Sequence, residues 1–306
     1  MKILFATDCS PSAKRAEALL GNLLLPDPST VEVLYVDQLF EEETDLPERQ
    51  RSALHTLLRE DTDNQLAAVK AALSGPGREI VTTVVFGRPA SVISATAERI
   101  GADLVVLGSR GHGPFASALL GSVAAEVVDH APCPVLVARG TSISRIVLAA
   151  DDSPGSRRAE EVVRSLPFLS ALPVRVVSVA PLLPWYPAGG PAFSGEVYQQ
   201  IIDDQRTLHE RIAAAAVDRL AEHGIPATAE APQGDAAYGV IEAATATNAD
   251  LIVVGSRGNA GLTRLLLGSV ARGILYHAPC SVLIVRQQAA AARAAPARPS
   301  ATRLAV

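Results

Sequence analysis

The chain is written twice. "ILFATDCSPSAKRAE" at 3–17 aligns with "IVLAADDSPGSRRAE" at 146–160, "ADLVVLGSRG" at 102–111 with "ADLIVVGSRG" at 249–258, and "HAPCPVLVAR" at 130–139 with "HAPCSVLIVR" at 277–286. The offset is 143 residues for the first pair and 147 for the others, so the second copy carries a small net insertion. Whatever one copy folds into, the other must fold into as well. A length of 306 residues suits two domains of ordinary size, expected at 1–140 and 144–287, with 288–306 left over.

Each copy contains short apolar runs without polar alternation: "KILFAT", "VEVLYV", "IVTTVVF", "DLVVLG" and "PVLVA" in the first. Such runs are expected of strands buried on both faces of a parallel sheet. Helical stretches separate them, which predicts α/β domains with right-handed crossovers. The fold class is therefore two tandem open parallel five-stranded sheets flanked by helices, Rossmann-like in build. The last strands, "PVLVA" and "SVLIV", are apolar edges that invite pairing, so the two domains are expected to join edge to edge through them. Between strands two and three the copies diverge. The first has the acidic "FEEETDLPERQ", and the second has "PLLPWYPAGGPAFSG" at 181–195, either a surface loop or a lid or partner surface in that copy alone. The tail "QQAAAARAAPARPSATRLAV" is low-complexity and reads as disordered.

Several functions are excluded at this level. A net charge of −5 without any Lys/Arg cluster argues against nucleic acid as a partner. No run approaches the roughly eighteen apolar residues of a membrane span. The opening "MKILFATD" is too short a run for a signal peptide. Three cysteines, Cys9, Cys133 and Cys280, make no disulfide framework, which places the expected setting in a reduced cytoplasm.

The feature that carries chemistry is a spacing, G-x-x-G-x9-G-[ST]. It falls at Gly108, Gly111, Gly121 and Ser122, and again at Gly255, Gly258, Gly268 and Ser269. Glycine admits close approach of backbone to a ligand. The third glycine precedes "VAAEVVDH" and "VARGILYH", which read as helices, and amides at a helix N-terminus favour phosphate. The competing reading makes these ordinary strand-to-helix turns, with Ser122 and Ser269 as helix caps. No Lys follows the last glycine, so this is not a Walker loop. In an open parallel sheet the ligand crevice lies beyond the strand ends where the order reverses, and strands one and four flank that point. Asp8 and Asp151 end strand one. Ser10-Pro11 and Ser153-Pro154 supply the following helix with its cap, which leaves each Asp to accept from a ribose or base.

On these residues the chain closely resembles the universal stress protein family, in its ATP-binding subclass and with two domains in one chain. The resemblance covers nearly all of 1–287 and implies an adenine nucleotide alpha-hydrolase-like fold. It implies that Asp8 and Asp151 face ribose and adenine, and that Val36 and Val179 bind adenine through their backbone. Ala6 with Leu107, and Ala149 with Val254, would line the base pocket. Gly111, Gly121, Ser122 and Val123, with Gly258, Gly268, Ser269 and Val270, would cradle the phosphates. Where the family often has Ser or Thr next, this chain has Ala124 and Ala271, which puts tight grip on a terminal phosphate in doubt and lets ADP or AMP compete with ATP. The resemblance also implies an intramolecular pseudo-dimer through the last strands, with room for a further homodimer and an unknown protein partner.

Other recurring residues invite roles. Cys133 and Cys280 read as buried filler, and His130 and His277 as helix C-terminal residues. His112 is matched by Asn259, so it cannot be essential to both sites. Arg110 and Arg257 face either solvent or phosphate. No recurring base and no carboxylate cluster for metal is visible, so Mg²⁺ would arrive on the phosphates. The expected function is an ATP-binding, non-enzymatic regulator of stress response or growth. The alternatives are a slow ATPase or self-phosphorylating protein, and an interaction module with a vestigial crevice.

Overall fold

The structure is a computed structural model and describes residues 1–37, 48–111, 120–182, 195–258 and 267–286, with backbone alone for 48–59 and 195. The tail at 288–306, most of the aromatic insertion, His112 and Asn259 lie outside the described residues.

The first half runs β1 (Lys2–Thr7), α1 (Pro11–Asn22), β2 (Ser29–Asp37), α2 (Glu48–Leu73), β3 (Arg78–Phe86), α3 (Pro89–Ile100), β4 (Leu104–Gly108), α4 (Ser122–His130) and β5 (Val135–Ala138). The second half repeats this as β6 (Ile146–Ala149), α5 (Pro154–Ser165), a short α6 (Pro167–Ser170) and β7 (Val174–Val177). It continues with β8 (Ala180–Pro181), α7 (Gly195–Ala221), β9 (Ala227–Glu230), β10 (Gln233–Gly234), α8 (Ala236–Ala246), β11 (Leu251–Gly255), α9 (Ser269–His277) and β12 (Ser281–Val285). Among the described residues no helix is long and apolar enough to cross a membrane.

Each half is an open sheet of five parallel strands, and the two are one sheet. The strand order is β3-β2-β1-β4-β5-β12-β11-β6-β7-β9, parallel within each half and antiparallel only at β5·β12. Leu136 and Leu283 face each other across that seam and are both buried. The expected edge-to-edge pairing is thus present. β8 and β10 pair separately in the second half.

The apolar runs of β1, β4, β5, β6, β11 and β12 are buried almost residue for residue. Ile3, Phe5, Leu104, Val106 and their counterparts pack beneath α1, α2, α5 and α7. Leu4, Val105, Val137 and theirs pack beneath α3, α4, α8 and α9. The run "IVTTVVF" departs from expectation. β3 lies at the sheet's outer edge, and Val81, Val84 and Phe86 are exposed there, because no further strand follows it in the order. Apolar content alone does not distinguish an edge strand from a central one.

Candidate functional site

In both halves the strands adjacent at the reversal are the first and fourth: β1 beside β4, and β6 beside β11. Their C-terminal ends carry the duplicated landmarks. The chain leaves β1 through Asp8 and then Cys9 in the left-handed region, φ 59°; the second half does the same through Asp152, φ 60°. This turn carries the amide two residues on back over the carboxylate. Ser10 N donates to Asp8 Oδ1 at 3.0 Å, and Ser153 N donates to Asp151 Oδ1 at 3.0 Å. The expectation that these carboxylates have no local task is corrected by that bond: a short Asp side chain at a turn reaches the backbone two residues ahead. The neighbouring cap is as expected. Ser10 accepts from Ala13 N and Ser153 from Ser156 N, with Pro at the start of each helix.

The second carboxylate oxygen faces the glycine turn. A Cβ built on Gly111 would sit 2.6 Å from Asp8 Oδ2, and one on Gly258 would sit 2.5 Å from Asp151 Oδ2. Only glycine keeps this approach open. Gly108 and Gly255 are glycine for a different reason. A Cβ on Gly108 would strike backbone of Ser12 and Ala13 at 2.8 Å, and one on Gly255 would strike Gly155 backbone at 2.5 Å. They let the N-termini of α1 and α5 pack on the ends of β4 and β11. The seam is tied further: Arg110 N donates to Ser12 Oγ at 3.2 Å, and Ser153 Oγ donates to the Arg257 carbonyl at 3.4 Å.

Gly121 N donates to the Ser109 carbonyl at 2.7 Å, and Gly268 N to that of Ser256 at 2.9 Å, which folds each turn back onto its strand. Gly121 and Gly268 are themselves the N-caps of α4 and α9, and among the described residues neither helix has a side-chain cap bond. This corrects the reading of Ser122 and Ser269 as caps: both are the first helical residue and both are exposed. A helix that opens on glycine presents its first amides and its positive dipole end without a resident acceptor side chain. Val123 and Val270 follow, half-buried, while Ala124 and Ala271 point into the core. Their burial removes the positions after the valines from the solvent-facing side of the first turn, whether or not they carry a hydroxyl.

The remaining expected positions lie at or near the C-terminal ends of strands. Ala6, Leu107, Ala149 and Val254 are buried at the ends of β1, β4, β6 and β11. Val36 is the penultimate residue of β2. Val179 lies past the end of β7, held between Ser178, whose N–H donates to the Glu230 carbonyl, and Ala180, whose N–H donates to Pro232. Arg110 is exposed and Arg257 half-buried, each in its glycine turn. Cys133 and Cys280 are buried; burial pushes their thiols up to about 12 and about 11. His130 and His277 are exposed at the ends of α4 and α9. Among the described residues no group of His, Cys, Asp and Glu could hold a metal.

The model of the universal stress protein family matches residues 1–139 and again 142–286. The chain belongs to that family. It is 29% identical over 248 residues to the universal stress protein Rv2005c of Mycobacterium tuberculosis, which covers 75% of this chain and 78% of that one. Its fold is that of a universal stress protein from Archaeoglobus fulgidus, with a TM-score of 0.66, 20% identity, and 94% and 97% of the two chains covered. The functionally unknown protein PA1789 of Pseudomonas aeruginosa aligns with a TM-score of 0.59 at 19% identity, over 94% of this chain and 92% of that one. The family model thus falls separately on each copy of the duplication.

Sequence reasoning missed two arginines. Arg139 and Arg286 close the repeated "VLVAR" and "VLIVR", and each crosses into the other half. Arg139 donates to the carbonyls of Cys280 at 3.2 Å and Leu275 at 2.5 Å, and Arg286 donates to that of Val128 at 2.7 Å. Their recurrence in the duplication was the available signal.

Proposed function

We propose that this universal stress protein is a regulator that binds an adenine nucleotide in each half and acts through the bound state rather than by turnover. The observation that carries the reading is the N-terminus of α4 and α9, capped by glycine and, among the described residues, by no side chain. It lies beside a turn whose glycine approaches Asp8 or Asp151. Helix-end amides suit phosphates, a carboxylate suits ribose hydroxyls or an adenine amine, and the apolar strand ends between them suit a base. Mg²⁺ would be carried by the phosphates, since among the described residues no group of His, Cys, Asp and Glu could hold a metal. ADP and AMP keep the base and ribose contacts and fit the same crevice.

Binding without turnover is supported by the loop sequences. His112 has Asn259 as its counterpart, so no base recurs at the phosphate end. All three cysteines are free thiols, which supports a reducing compartment such as the cytoplasm. The test is mass spectrometry of ligand released from the denatured purified protein, with calorimetric titration of ATP and Mg²⁺. The expected results are an adenine nucleotide and a stoichiometry near two. No binding by ATP, ADP or AMP would refute the reading, and sustained phosphate release would favour a slow ATPase.

A further inference from the structure

Asp129 stands where a helix least favours an acid. It lies in the last turn of α4, at the end that carries the negative pole of the helix dipole. The groups that offset this come from the other half. Asp129 Oδ1 accepts from Leu267 N at 3.4 Å and is paired with Arg272 Nη2 at 3.6 Å. Leu267 immediately precedes Gly268, the N-cap of α9, and Arg272 N donates to the Gly268 carbonyl at 2.9 Å across the first helical turn. A carboxylate of the first half is thus seated at the opening of α9, the end of the second crevice that suits phosphate. Its side chain is 19% exposed, so solvent screens it only in part.

The duplication does not repeat this arrangement. At the offset of 147 residues, Asp129 corresponds to Tyr276 and Arg272 to Ala125. The two helices match in their glycine caps and differ in this pair: α9 has a phenol where α4 has its carboxylate, and α4 has a methyl where α9 has its guanidinium. Phosphates approaching α9 call on the same kinds of donor that Asp129 holds, a main-chain N–H and a guanidinium. They also bring negative charge towards a carboxylate. A nucleoside without phosphates does neither.

Resting on the nucleotide reading above, we propose that Asp129 is a specificity-determining residue of the second crevice, supplied across the seam by the first half, which weighs against a nucleotide in proportion to its phosphate charge. The opposition is greatest for ATP, smaller for ADP and AMP, and absent for adenosine. Removing the carboxylate charge should tighten ATP binding at this crevice about tenfold, summed over the charges of a triphosphate some 8 Å away in a partly solvated setting.

Asp129→Asn is the variant of choice, because it keeps an oxygen for Leu267 N and removes the charge alone. Calorimetry of the full chain should show ATP bound about tenfold more tightly at one of its two sites, with adenosine unchanged at both. The gain should shrink in about 1 M salt, where the screening length is about 3 Å. An unchanged ATP affinity, a gain shared by both sites, or an equal gain for adenosine would each overturn the proposal while leaving the nucleotide reading intact. ATP, ADP, AMP and adenosine all failing to bind the unmodified chain would overturn the two together. Amide NMR assigns the site: Ser269 and Val270 should saturate at lower ATP concentration in Asp129→Asn, and Ser122 and Val123 at an unchanged one. The reverse pattern would overturn the assignment of Asp129 to the second crevice.

Discussion

Arg286 Nη1 donates to the carbonyl of Val128 at 2.7 Å, from the strand end of one half to the helix end of the other. Arg139 makes the matching bond to Leu275, at the equivalent place in the duplication. Helix C-termini present unpaired carbonyls, and an arginine is a strong donor for them. The pair flanks the β5·β12 seam, where Leu136 meets Leu283. Each fully buried leucine of this kind contributes about 1.5–3 kcal/mol. The seam supplies the apolar burial, and the arginines fix its register.

Removing that clasp should be costly. Arg139→Met or Arg286→Met leaves buried carbonyls without a charged donor, at about 1.5–3 kcal/mol each. The melting temperature should fall by roughly 2–4 °C per kcal/mol. The double variant should also broaden the small-angle scattering envelope. Unmoved urea midpoints in both single variants would show that the arginines are incidental to the seam.

The glycines should separate by role. Gly108→Ala and Gly255→Ala press a Cβ into backbone, so they should destabilise by about 1–3 kcal/mol before any ligand is added. Gly111→Ala and Gly258→Ala press only on a carboxylate. They should keep most of the stability and lose the ligand response. Saturation at a hundredfold Kd adds about 2.7 kcal/mol, read as a thermal shift with ATP. A full shift in the Gly111→Ala, Gly258→Ala double variant would dissociate the Asp–glycine approach from binding.

Glu160 and Glu17 occupy equivalent places with opposite solutions. Glu160 is 3% exposed and takes a two-pronged bond from Arg219 at 2.7 and 2.9 Å. Arg219→Met strands a buried carboxylate and should cost about 3–5 kcal/mol in chemical denaturation. Glu17 has Ala72 where Arg219 would be. Burial raises its pKa above 4.5, and Lys14 opposes this only in part. A carboxyl raised on folding contributes stability below its unfolded pKa and loses it as the pH rises through the folded value. Glu17→Gln should therefore stabilise at pH 7, with the gain shrinking towards pH 4; a gain constant with pH would contradict this.

The cysteines should resist modification. Burial holds the Cys133 and Cys280 thiols at about 12 and about 11, and raises that of Cys9 as well. At pH 8 a thiol reagent should label the native protein slowly, and at Cys9 first. Three labelled sites are expected in denaturant. Peptide mass spectrometry resolves the order, and fast labelling of Cys133 or Cys280 would mean the chain opens beneath α4 or α9.

Much of this was legible in the chain itself, because a duplication prints its constraints twice. The strand runs, the Ser-Pro caps of α1 and α5, the crevice between first and fourth strands, and the G-x-x-G-x9-G-[ST] spacing are local patterns that backbone geometry enforces wherever they occur. The pairing of "PVLVA" with "SVLIV" was readable for the same reason: an apolar edge needs a partner, and the matching edge is tethered nearby.

Tertiary structure decided what depends on who stands opposite. Composition could not mark β3 as an edge strand, since Val81 and Phe86 are apolar whether or not another strand covers them. Nor could spacing divide the glycines, because Gly108 is fixed by the backbone of α1 and Gly111 by the carboxylate of Asp8. Arg139 and Arg286 bond to main-chain carbonyls across the seam, and every residue owns a carbonyl, so no side-chain pattern announces the acceptor. His209 meets Ser178 thirty-one positions away, a proximity that exists only after α7 has packed on β7. Local periodicity is carried by neighbours in sequence; partnership across elements is created by packing.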